Sequence, residues 1–122
     1  MNTILWIAQG ALAIVFAYSG FCKSILSERQ LIARGQTGVV NLPAPLIHSI
    51  GVSEILGAVG IIVPWYTGIS RVLTPVSAVC FAVLMVLAAR IHYRLKEPKN
   101  IAVNTTLFVL AVFVAWGRFS QL

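Results

Sequence analysis

A single carboxylate, Glu54, stands inside GVSEILGAVGIIVP (residues 51–64), a stretch with no other charge. The apolar run around it, residues 46–66, is about 20 residues long, enough for a helix to cross a bilayer core of roughly 30 Å. An unpaired carboxylate at that depth costs roughly 2.5–3.5 kcal/mol on insertion scales, so it calls for a partner, water or a task. Burial favours the neutral acid and a cationic neighbour favours the carboxylate, which leaves its charge state open in the sequence. Five further polar residues lie in or at the ends of apolar runs: Gln9, Lys23, His48, His92 and Asn104. An amide from Gln9 or Asn104 is suited to hold the Glu54 carboxyl in either state, and a histidine at pH 7 is suited to exchange protons with it. Lys23 reads most simply as a snorkelling anchor.

The elements that must position these groups are apolar helices. Of the 122 residues, 59% are hydrophobic and only 10% charged, with a mean hydropathy of +0.93. That excludes an ordinary soluble domain. Four spans follow, at residues 4–22, 46–66, 72–91 and 101–116, and together they make an all-α, antiparallel bundle of four transmembrane helices in one domain. Pro64 falls near the outer end of the second span, where a helix can stop at little cost. The longest connection, residues 23–45, opens with SERQLIARG, an amphipathic pattern for a short interfacial helix that Ser27 would cap.

The net charge of +6 comes from nine basic residues against three acids. Seven of the nine (Lys23, Arg29, Arg34, Arg90, Arg94, Lys96, Lys99) flank the first and third connections, so they follow the positive-inside rule and need no nucleic acid to explain them. The expected topology has those two connections in the cytoplasm and both termini outside, in a cell (inner) membrane. Trp6, Trp65 and Trp116 all fall at the outer ends, where indoles favour the headgroup region. On helical spacing, Gln9, Ala13, Phe16, Gly20 and Lys23 share one face of the first helix, while Ala78, Phe81, Met85 and His92 share one face of the third. With the spans alternating in direction, Lys23, His48, His92 and Asn104 gather at the cytoplasmic end with Glu54 deeper, and Gln9 approaches from the outer half.

Three chemistries suit such a constellation. The first is a pocket for a small, mostly apolar ligand such as a quinone or an isoprenoid-like molecule, floored by Glu54. The second is proton-coupled export, as in small multidrug transporters, although there the acid is on the first helix. The third is intramembrane acid–base catalysis by Glu54 and His92, of the isomerase type. A haem between His48 and His92 is a weaker fourth reading. No cluster of cysteines, histidines and carboxylates with metal-ligand spacing occurs, so no metal is expected, and Cys22 and Cys80 differ in depth and are not expected to pair.

The order of these motifs resembles the DoxX-like membrane proteins over nearly the whole chain. Gln9 with Leu12, Phe16, Gly20 and Lys23, then residues 51–64, then ARIHYR with His92, then Asn104 and the Gly117–Arg118 pair match the family's pattern. The resemblance makes Gln9, Lys23, Glu54, His92, Asn104 and Arg118 the matching positions. It implies an accessory membrane subunit linked to quinone-dependent oxidoreductases or oxidative-stress enzymes. Since the chain carries no intrinsic redox centre, the chemistry would belong to a partner or a bound quinone. A homo-oligomer is also expected, because at this size an assembly would help bury the polar face of each bundle.

Overall fold

The computed structural model describes residues 2–122. Five α-helices follow one another: α1 (Asn2–Ile25), α2 (Glu28–Ala33), α3 (Ala44–Thr67), α4 (Leu73–Arg94) and α5 (Pro98–Phe119), with a 3-10 turn at Thr37–Val39. All but α2 are long and apolar enough to cross a membrane. Each extends a little beyond its apolar run at one end or both.

α1 packs on α3 and α4 on α5, and the two pairs meet through α3–α4 and, more thinly, α1–α5. Among apolar helices in lipid, association rests on close packing and interhelical hydrogen bonds, with no hydrophobic gain from burial between helices. The centre meets that need with Leu12, Phe16, Ile61, Ala78, Phe81 and Val114, all nearly inaccessible. The Phe16 and Phe81 rings stack at 3.9 Å between centroids, across the diagonal from α1 to α4. Gly20 and Gly51 bring the α1 and α3 backbones together: a Cβ at Gly20 would lie 2.6 Å from the Gly51 carbonyl oxygen.

α3 runs through Pro64 to Thr67 and stops at Gly68 in the left-handed region (φ 78°). Proline has no N–H, so the Gly60 carbonyl loses its helical donor, and in lipid such a group must find another. The Thr74 hydroxyl of α4, fully buried, donates to it at 3.1 Å. The helix persists because its neighbour supplies the missing bond.

The connection between α1 and α3 is ordered by a small core of its own, in which Cys22, Leu31, Val39 and Ile47 are buried. Ser27 caps α2 through a full capping box: its hydroxyl accepts from the Gln30 N–H, and the Gln30 side chain accepts from the Ser27 N–H. Leu31 anchors the helix in that core, so the segment lies against the bundle.

Candidate functional site

Glu54 is 2% exposed, and its partner is neither of the amides that the sequence suggests. The Lys23 ammonium donates to Glu54 Oε1 at 2.7 Å. The contact follows from the close approach at Gly51: a Cβ there would lie 2.8 Å from the Lys23 Cβ, so the bare backbone lets the Lys23 stem cross antiparallel α3 and reach Glu54 almost one turn deeper. Lys23 therefore turns inward as a counter-ion instead of extending to the interface, and the pair is neutral overall.

The pair opens onto a cavity of about 560 Å³. Apolar side chains of all four long helices form most of its wall, among them Phe16, Ile50, Met85 and Leu107. Lys23, Glu54, His92 and Asn104 all line it, and the connection covers it with Gln36, Gly38 and Val39. The Gln36 and Asn104 amide nitrogens are buried with no hydrogen-bond partner among the described residues. Asn104 thus makes no interhelical bond through its nitrogen, and it stands in a wall shared with a second hollow between α4 and α5.

His92 is held from outside the cavity. Its Nδ1–H donates to Glu97 Oε1 at 2.8 Å, and the Thr37 hydroxyl donates to the same oxygen at 2.7 Å while accepting from the Asn100 amide at 3.4 Å. The Thr37 bond first, and then the His92 bond, hold the Glu97 carboxyl below its ordinary value of 4.5. With Nδ1 so engaged, the His92 ring directs Nε2 toward Gly38 in the cavity wall. Glu97 and Thr37 escaped the sequence reading. Their signal is there, since Glu97 is the one acid in a basic connection, five residues after His92.

Two of the six sequence candidates stand elsewhere. His48 is exposed on the first turns of α3 and does not line the cavity, so it and His92 do not face a common ligand. Gln9 is fully buried near the opposite end of the bundle. Its amide nitrogen donates to the Ile61 carbonyl at 2.6 Å, and its oxygen accepts from Arg118 Nε at 2.7 Å. Gln9 is occupied there because Arg118 turns inward: the guanidinium is 0% exposed and also donates to Asn2 and Gln121. Trp65 and Trp6 lie against it at 4.6 and 5.4 Å from their ring centroids. Trp65, in the last turn of α3, faces inward as a cation–π partner, whereas Trp116 is 60% exposed.

Neither the curated proteins nor the solved structures contain a significant match. A family model does match, over residues 7–114, a range that takes in all four long helices, the cavity and all but the last of the resembling positions. This multi-pass, all-helical membrane protein belongs to the DoxX-like family.

Proposed function

We propose that the cavity binds a small, largely apolar molecule with a polar head, of the quinone or isoprenoid type, with its head at the Lys23–Glu54 pair. The observation that carries this reading is the cavity itself: about 560 Å³, in the range of small-molecule sites, with apolar walls converging on a few polar groups. The unpaired Gln36 and Asn104 amides offer donors that a carbonyl oxygen would satisfy. A quinone carries such oxygens on an apolar body. In this reading the protein is an accessory, homo-oligomeric subunit for a membrane oxidoreductase. It sits in a cell inner membrane with the cavity end in the cytoplasm, as the distribution of basic residues supports. Proton-coupled transport is the second reading, but the ion pair favours it less, since a carboxylate held by Lys23 is not free to exchange with a cationic cargo.

The test is native mass spectrometry and lipid extraction of gently purified wild type, Glu54→Gln and Ala88→Phe, the last filling the cavity from α4. A quinone or isoprenoid that stays with wild type and leaves with both variants supports the reading. Retention by Ala88→Phe at the wild-type level would exclude the cavity as its site. Dye exchange in proteoliposomes that required Glu54 would favour transport.

A further inference from the structure

A second hollow, of about 570 Å³, lies between α4 and α5 on the outside of the bundle. Met85, Ala89 and Phe108 form its apolar part, and Ala89 opens it because a methyl stands where most residues would fill the space. Arg90, Tyr93 and Arg94 line it toward the α4–α5 connection. Arg90 and Arg94 are four residues apart and share one helix face. Both are exposed, and neither forms an ion pair among the described residues.

The neighbourhood is uniformly basic. Lys96 and Lys99 follow in the same connection, and its one acid, Glu97, is engaged by His92 and Thr37. A long apolar groove ending at two unpaired guanidiniums and a phenol matches one occupant: acyl chain along Ala89 and Phe108, phosphate on the arginines. A zwitterionic lipid gains less there, because its ammonium meets only like charge.

We infer that the α4–α5 groove is a binding site for one anionic phospholipid. The site lies on the outer side of the wall, at Met85 and Asn104, that it shares with the cavity at Glu54, and its arginines do not line that cavity.

The test is native mass spectrometry of the purified protein with phosphatidylglycerol and with phosphatidylcholine of the same acyl chains. Wild type is compared with the double variant Arg90→Gln/Arg94→Gln and with Ala89→Phe, which fills the groove without changing charge. Each basic group near a lipid phosphate contributes roughly a factor of five, so the double variant should bind phosphatidylglycerol about 30-fold more weakly. Ala89→Phe should also lose it, and phosphatidylcholine should bind weakly throughout. As a second readout, phosphatidylglycerol should raise the unfolding midpoint of wild type in micelles and leave those of both variants where they are, each variant being its own reference. Equal binding of the two lipids by wild type overturns the inference. So does binding that falls with the arginines but is untouched by Ala89→Phe, which would mean diffuse attraction. A dimer that Ala89→Phe dissociates, with no lipid preference, would assign the groove to a second copy and overturn it as well.

Discussion

The approach of α1 to α3 makes the sharpest forecast. A methyl group at Gly20 would lie 2.6 Å from the Gly51 carbonyl oxygen and 3.0 Å from the Ile55 backbone nitrogen. One at Gly51 would lie 2.8 Å from both the Gly20 carbonyl oxygen and the Ser24 nitrogen. Ordinary contact begins at 3.4 Å, so the shortfall is about 0.8 and 0.6 Å, and because two of the three obstacles at each site are backbone, moving the Ile55 or Lys23 side chain cannot relieve it. The helices themselves must part by a similar amount. Overpacking of this kind costs about 1–3 kcal/mol, set against a gain of up to about 1 kcal/mol when glycine in a helix becomes alanine. Gly10 separates the two effects, since a methyl there meets nothing within 4 Å. Gly10→Ala should be neutral or stabilising, and Gly20→Ala and Gly51→Ala destabilising, in reversible unfolding titrations in mixed micelles. The same parting acts on the 2.7 Å Lys23–Glu54 bond one turn away, so the carboxylate stretching band should shift in Gly51→Ala and stay unchanged in Gly10→Ala. Unfolding of all three variants at one midpoint would refute the claim that backbone contact at these glycines sets the register.

Thr74→Val keeps the shape but leaves the Gly60 carbonyl without its donor, and should cost about 1–3 kcal/mol in the same titration, with Thr74→Ser recovering most of it. Arg118→Lys removes the planar fork that serves Gln9, Asn2 and Gln121, and should cost roughly 1.5–3 kcal/mol while changing the fluorescence of Trp65 and Trp6. Glu97 titrates below its ordinary value in the folded protein, so its contribution to stability is fully present above about 4.5 and is lost as pH falls through the lower folded value. Thr37→Val should move the titration of the Glu97 carboxyl carbon, followed by NMR, back up toward 4.5. Ser27→Ala should cost about 0.5–2 kcal/mol locally, seen as faster hydrogen exchange in α2 while the four long helices are unaffected.

The helices and the polar residues at the cavity end were legible because their signals are local: apolar length, helical spacing, and basic residues flanking the first and third connections. What pairs with what was not. Lys23 can be placed at the cytoplasmic end and Glu54 deeper from sequence, but that they touch depends on how α1 slides along α3, and the Gly20–Gly51 contact that fixes this is invisible until both backbones are placed. The same holds at the other end. Trp65 is placed at an outer end by the sequence, but that it meets Arg118, which three acceptors and two indole faces hold inward, is not legible there. Gln9 is thereby occupied far from Glu54. The span through Pro64 was legible from its apolar length, but the Thr74 hydroxyl that replaces the lost helical donor to Gly60 was not. His92 lies on the inward face that its spacing suggested, but its orientation depends on Glu97 and Thr37, which come from two separate connections.

The two polar clusters close very different lengths of chain. Lys23–Glu54 joins residues 31 apart, and Arg118–Gln9 joins residues 109 apart, across the thinnest of the four helix interfaces. Loop-closure entropy makes the longer closure more costly by roughly 1 kcal/mol. The α1–α3 pair can therefore form early as a folding unit, and α5 is the last wall to seat. In the native protein the reverse path should be the lowest-energy partial opening, with α5 swinging from α1 around its firm contact with α4. Amide exchange at the carboxyl-terminal half of α5 would report that motion well before the bundle as a whole comes apart.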